Sequence, residues 1–233
     1  MHITENEILD EVLCEYSRLA TTFYSKKRWD EMTENELWQE LCLCILSSNV
    51  PYELARSAFF HLTEKGYLQL DWVASVSNSQ RLIADELAKP IYLPKKIDGS
   101  FRRYRFPNSR SKNIFQAAKV VSSDNGWLSK LLANSSSEEE ARDLLVVHIP
   151  GFGLKEASHF LRNIRYSHQL AIIDTHVLSF LIKIGVIAQT EVETITPKTY
   201  IKLERKLQEI CRKYRLNLSV FDMAIWHYTR RKQ

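Results

Sequence analysis

Two residues of this chain have the types and spacing to do chemistry together. Lys155 follows the turn Pro150-Gly151-Phe152-Gly153, and Asp174 comes 19 residues later, behind the apolar run Leu170-Ala171-Ile172-Ile173. A lysine in the first turn of a helix sits at the positive end of the helix dipole, the unfavourable end for a cation. That placement favours the free amine, the form that acts as a nucleophile. Gly151 and Gly153 supply backbone conformations closed to other residues and remove side chains from the turn. Bare amides at a helix start bind phosphate. A plain helix–helix turn without a ligand stays open on the glycines alone. A dinucleotide loop needs a preceding strand and βαβ context, and the sequence offers neither. Asp174 precedes a helix faced by Val177, Leu178, Leu181 and Ile184, where N-capping is a sufficient reason for an aspartate. Nineteen residues also make room for one helix and a return loop, so Lys155 and Asp174 could face one cleft.

A second polar set surrounds the lysine. Lys155, His159 and Arg162 stand at i, i+4 and i+7, beside an inward stripe of Leu154, Ala157, Leu161 and Ile164. Farther upstream, FRRYRFPNSRSK (101–112) interleaves Arg102, Arg103, Arg105, Arg110 and Lys112 with Phe101, Tyr104 and Phe106. Basic residues neutralise phosphates and aromatic rings stack or wedge; a solvated basic loop with aromatic anchors is the alternative.

The elements that must position these residues read as helices. Ile8, Leu9, Val12, Leu13, Tyr16, Leu19 and Phe23 recur at helical spacing. Thr33 and Glu36 form a capping box before LWQELCLCIL, a stretch apolar nearly all round and therefore buried. Pro51 suits the first turn of the next helix. A weaker pair of helices occupies 71–88, and Pro90, Pro94, Gly99 and Pro107 mark 90–108 as an irregular connection. Helices resume at 110–122, 126–133 and 137–148, the last opened by SSSEEE, serine caps followed by acids at the positive dipole end. Thr196-Pro197 opens another, with Tyr200, Leu203, Leu207, Ile210 and Tyr214 on one face. The last runs from about Ser219 to Tyr228, where Asp222 could accept hydrogen bonds from a base edge or merely cap the helix as Ser219-x-x-Asp222.

Composition fits that picture. The chain has 233 residues, 45% of them hydrophobic, with only 6 Gly and 6 Pro, which argues against a loop-rich β architecture. No apolar run is long enough to span a membrane, and the start has early acids and no apolar core of a signal peptide. Cys14, Cys42, Cys44 and Cys211 are scattered, fit no metal-ligand set and read as reduced core thiols of a cytosolic protein. A net charge of +4 permits an anionic partner without demanding one.

PGFGLKEASHFLRN followed by IIDTHVL resembles the helix–hairpin–helix superfamily of base-excision DNA glycosylases, more narrowly the type-2 8-oxoguanine DNA glycosylase/AP lyases. ELCLCILSSN, YRFPNSRSKNIFQAAKVV and PKTYIKLERKL…LSVFDMAIWHY extend the resemblance over most of the chain. It implies one all-α domain over 1–233, built as two helical lobes with a DNA-binding and active-site cleft between them. The helix–hairpin–helix motif falls at about 137–164 and the aspartate loop at about 170–176. By position, Lys155 matches the family's Schiff-base lysine and Asp174 its essential aspartate. Gly151 and Gly153 match the hairpin that grips the backbone, His176 a phosphate-contacting residue, and Asn49 the residue facing the unpaired base of the opposite strand. Arg110 serves that strand too. The last helix, with Asp222 and Trp226, falls where such enzymes build the damaged-base pocket, and His159 is placed to touch the flipped base. Ile149 stands where Leu is usual, Ile172-Ile173 where Pro-Val is usual, and Gln233 ends the chain where the extreme C-terminus can help read the base. The resemblance implies a monomer acting on double-stranded DNA with a damaged base, cytoplasmic or nucleoid-associated. It implies no catalytic metal, a structural monovalent cation at the hairpin, and no iron–sulfur cluster, since no C-terminal set of four cysteines exists. The readings left open are a non-catalytic helix–hairpin–helix DNA-binding protein and a glycosylase for a different modified base.

Overall fold

The computed structural model describes residues 5–232; Gln233 and any role for it lie outside the described residues. Twelve α-helices occur among them: α1 (Glu5–Tyr24), α2 (Glu34–Ser47), α3 (Tyr52–Glu64), α4 (Leu70–Ser75), α5 (Ser79–Leu87), α6 (Pro107–Val121), α7 (Trp127–Asn134), α8 (Glu138–His148), α9 (Leu154–Asn163), α10 (Thr175–Lys183), α11 (Pro197–Tyr214) and α12 (Leu218–Arg231). The only β pairing among the described residues is an isolated antiparallel bridge between Tyr92 and Arg102, so the all-α expectation is met. No helix among them is long and apolar enough to cross a membrane. The chain divides into two compact units, residues 29–160 and residues 1–28 with 161–233.

In the 29–160 unit, α2 is the central element. Leu37, Trp38, Leu41, Cys42, Cys44, Ile45 and Leu46 are all buried, as its unbroken apolar character requires, and α3, α6 and α7 pack on it. Its capping box forms as read: the Thr33 hydroxyl accepts from the Glu36 amide at 3.2 Å, and the Thr33 amide donates to Glu36 at 2.8 Å. The buried Trp38 ring keeps its N–H satisfied by donating to the Leu68 carbonyl at 2.8 Å. Helix α7 has Gly126 at its cap, which carries no side chain to close the exposed amides. Glu34 of α2 supplies one instead, accepting from the Leu128 and Ser129 amides at 2.7 and 3.0 Å. Pro51 takes the cap position of α3 rather than its first turn.

In the other unit, α12 packs against α1, α10 and α11. Glu15 is buried on α1 and holds Arg18 and Arg231 as ion pairs, tying the start of the chain to the end of α12. Helix α11 starts as expected, with the Thr196 hydroxyl accepting from the Thr199 amide at 3.2 Å. Two expectations are corrected. Helix α12 is capped by Asn217, whose Oδ1 accepts from the Val220 amide at 3.3 Å; Ser219 lies inside the helix and donates to the Ser167 carbonyl at 2.7 Å. Cys14 is exposed on α1, whereas Cys42, Cys44 and Cys211 are buried as read.

Candidate active site and nucleic-acid interface

The hairpin lies between α8 and α9. The Phe152 amide closes the turn onto the Ile149 carbonyl at 3.1 Å, and Phe152 buries its ring against Phe160 at 6.5 Å. Gly151 has φ +85°, and a Cβ there would lie 2.0 Å from Nδ2 and 2.8 Å from Cγ of Asn113. The backbone conformation therefore favours glycine at this position, and any side chain there would have to displace the end of Asn113. Gly153 differs from expectation. Its φ is not in the left-handed region, and a Cβ there would only touch Glu156 at 3.5 Å. Nor is its amide bare: it donates to Oε2 of Glu156 at 3.3 Å, while Oε1 of the same carboxylate accepts from the Ser48 hydroxyl at 2.8 Å. One carboxylate thus ties the start of α9 to the turn that ends α2.

Lys155 is half-buried in the first turn of α9, with His159 half-buried one turn on. Arg162, the third member of that face, is committed elsewhere. Its guanidinium forms an ion pair with Asp222 and donates to Asn163 Oδ1 at 3.1 and 3.2 Å. Leu154 of the inward stripe is half-buried, and Ala157, Leu161 and Ile164 are fully buried.

The aspartate loop belongs to the unit that contains α10, α11 and α12. Asp174 caps α10: its Oδ1 accepts from the amides of His176 and Val177, both at 2.9 Å. The preceding Leu170, Ala171, Ile172 and Ile173 are buried and adopt neither helix nor strand. Their main-chain groups need partners, and α11 supplies them. Glu204 accepts from the Ala171 amide at 2.8 Å, and the Tyr200 hydroxyl bridges the Ala171 carbonyl at 2.7 Å and the Ile173 amide at 3.3 Å. These positioning residues were missed by the sequence reading, which took Tyr200 for part of an apolar stripe. The available signal was Glu204, an acid on the buried face of α11, where only a specific hydrogen-bonding duty offsets the cost of burial.

Helix α12 surrounds the same loop. His176 Nδ1 lies 2.8 Å from the Thr229 hydroxyl, and its ring meets Trp226 edge-on at 6.2 Å. Trp226 is half-buried, with the Arg230 guanidinium 4.5 Å over its ring; it is not a core tryptophan. Asp222 is buried inside α12 and does not cap it. Burial pushes its carboxyl up to about 7; Arg162 pulls against that shift, the Asp174 charge adds to it, and a bond from the Ile172 amide opposes it.

The opposite-strand candidates cluster in the 29–160 unit. Asn49 is exposed with φ +57°, a left-handed conformation that asparagine tolerates better than most residues. The turn around it is held from outside. Arg110 donates to the Ser48 carbonyl at 2.8 Å, Arg105 to the Asn49 carbonyl at 3.4 Å, and the Tyr104 hydroxyl to the Leu46 carbonyl. The guanidinium groups of Arg105 and Arg110 both lie over the Phe106 ring, 4.9 and 5.4 Å from its centroid. Arg102 donates to the Pro94 carbonyl at 2.8 Å, and Arg103 is exposed. Arg102, Arg105 and Arg110 therefore all have structural duties within the chain.

Residues 20–216 match the family model Ogg-HhH, described as 8-oxoguanine DNA glycosylase. An 8-oxoguanine DNA glycosylase/AP lyase of Saccharolobus islandicus is 32% identical over 86% of this chain and 86% of its own length. One from Fusobacterium nucleatum is 28% identical over 96% of this chain and 95% of its own. Among solved structures, the 8-oxoguanine DNA glycosylase of Thermotoga maritima superposes with a TM-score of 0.73 at 25% identity, covering 96% of each chain. The 8-oxoguanine glycosylase/lyase of Methanocaldococcus jannaschii, solved with a 15mer DNA containing 8-oxoguanine, gives a TM-score of 0.66 at 28% identity, covering 98% of this chain and 91% of its own.

Proposed function

The chain belongs to the Ogg-HhH family of 8-oxoguanine DNA glycosylases, and from that premise we propose that it is a bifunctional glycosylase/AP lyase acting on 8-oxoguanine in duplex DNA, with Lys155 as nucleophile and Asp174 as its electrostatic partner. The observation that carries the assignment of Lys155 is its place in the first turn of α9, directly behind a hairpin that turns through Gly151 at φ +85°.

A base inside a duplex is out of reach, so the nucleotide must be flipped out of the stack. The half-buried Trp226 offers a face on which the extruded base can stack. Lys155, as free amine, attacks C1′ of the deoxyribose, and the bond from C1′ to the base breaks with its electron pair leaving on the base. Positive charge grows on the sugar in that transition state, and the Asp174 carboxylate stabilises it. The sugar opens to an imine between Lys155 and C1′. The imine acidifies the C2′ proton; its loss expels the 3′ phosphate by β-elimination and breaks the strand.

A hairpin cation would be held by main-chain carbonyls of the 149–153 turn. Neutral oxygens without a carboxylate set suit a weakly held monovalent ion better than a divalent one; when bound, it would add positive charge for a DNA phosphate. The test of the catalytic reading is borohydride trapping on a duplex containing 8-oxoguanine. The wild type is expected to yield a covalent protein–DNA adduct and Lys155→Gln none, while Lys155→Gln still binds the duplex. An adduct with Lys155→Gln refutes the assignment; no adduct with the wild type leaves a DNA-binding protein without this chemistry.

A further inference from the structure

Residues 91–102 carry a feature that the glycosylase chemistry does not use. Among the described residues, four of the ten exposed large hydrophobic residues fall in this one stretch: Ile91 at 38%, Leu93 at 51%, Ile97 at 109% and Phe101 at 42% relative exposure. Scattered single apolar residues on a surface need no explanation, but a concentration of them marks an interaction site.

The stretch is a built hairpin. Tyr92 and Arg102 exchange both main-chain hydrogen bonds at 3.0 Å, the Lys96 amide donates to the Ser100 carbonyl at 2.8 Å, and the Gly99 amide returns to Lys96 at 3.0 Å. Gly99 sits at φ +81° with nothing near a potential Cβ, so it shapes the turn rather than making room for a neighbour. Asp98 Oδ1 accepts from the Ser100 amide and hydroxyl at 2.9 and 2.6 Å. The base is anchored: Tyr92 is buried with its hydroxyl on the Glu86 carbonyl at 2.8 Å, and the Leu93 amide donates to the Ser57 hydroxyl at 3.0 Å. Ile97 stands at the tip of this support. Lys95, Lys96, Arg102 and Arg103 flank it, against a single acid, Asp98.

We propose that this hairpin is a DNA-binding element that inserts Ile97 between stacked bases from the minor groove, with Lys95, Lys96 and Arg103 on the neighbouring phosphates. The proposal rests on the duplex-DNA reading above. Aliphatic wedges on a cationic support are how proteins unstack a base step, because the phosphate contacts offset the cost of the kink. A narrow pre-ordered probe with one fully exposed aliphatic tip suits insertion better than docking on a broad protein surface. The hairpin also runs directly into the basic segment 101–112.

The test uses a duplex with a tetrahydrofuran abasic analogue beside 2-aminopurine, which reports unstacking and needs no bond cleavage. Ile97→Ser is expected to bind about tenfold more weakly, equivalent to ~1.4 kcal/mol, and to lose the 2-aminopurine fluorescence rise, with an unchanged salt slope and melting temperature. Ile97→Met, still an apolar wedge, is expected to retain both. Lys95→Ala/Lys96→Ala is expected to lower the salt slope by about two, at roughly 0.9 per phosphate contact. Unchanged affinity and fluorescence in Ile97→Ser overturns the proposal. So does intact duplex binding by Ile97→Ser with lost binding to vesicles of phosphatidylglycerol and phosphatidylcholine, which would make the hairpin a membrane contact. Because Lys155→Gln keeps the hairpin, the measurement repeated in that background separates failure here from failure of the catalytic assignment.

Discussion

Replacing Gly151 with alanine isolates what the hairpin turn needs. At φ +85° an L-residue carries a left-handed penalty of roughly 1–2 kcal/mol. The new Cβ would also meet Asn113 Nδ2 at 2.0 Å, a contact that must be relieved. Asn113 is half-buried on α6, so its side chain can turn away, at about 0.5–1.5 kcal/mol if it leaves its rotamer. Alanine returns about 0.4–1 kcal/mol by restricting the unfolded chain. The net is a loss of roughly 0.5–3 kcal/mol, or about 1–12 °C in melting temperature for a chain of this size. Thermal unfolding of Gly151→Ala, Asn113→Ala and the double variant forms a cycle that separates the two causes. The double variant should regain the steric part and keep the backbone part. Gly151→Ala melting with the wild type, or a double variant that regains nothing, would refute the reasoning.

Asp174→Asn keeps an equally good cap, since asparagine Oδ1 can accept from the same two amides; melting should hold while 8-oxoguanine excision falls about 10²–10³-fold, and near-normal turnover would leave capping as the residue's whole role. Asp222 should make stability depend on pH. Its folded value of about 7 lies above the usual 3.8, so between those values the folded state binds more protons and stability falls as pH rises. At about 1.4 kcal/mol per unit the loss is at most about 4 kcal/mol, and the melting temperature of the wild type should drop relative to Asp222→Asn between pH 5 and 8; parallel curves would show that Asp222 titrates normally. Trp226→Ala should slow excision of 8-oxoguanine ten- to a hundredfold, from stacking worth ~1–3 kcal/mol, and leave cleavage at an abasic site nearly unchanged. Equal losses on both substrates with a lowered melting temperature would make the ring structural after all.

The local rules written along the chain determined the helices. The Thr33–Glu36 box, the serine cap and first-turn acids of α8 and the Thr196-Pro197 start each act over three or four residues, and each forms as read. The spacing of Lys155 behind a glycine turn likewise announced the hairpin. Local rules failed where a cap or a partner comes from far away. Ser219-x-x-Asp222 has the pattern of a cap, but burial of Asp222 against Arg162, 60 residues distant, decides its role. Gly153 looked like a second conformational glycine, yet its amide is covered by Glu156, whose carboxylate also binds Ser48, 108 residues from Glu156. Glu204 and Tyr200 looked like an acid and an aromatic on a helix; only packing shows that they satisfy the buried main chain leading to Asp174. Residue types and short spacings determine which groups are available and which local bonds can close, because those bonds lie within a turn or two of helix. Which buried donor meets which acceptor across tens of residues depends on how the helices pack, and that was settled only in the tertiary structure.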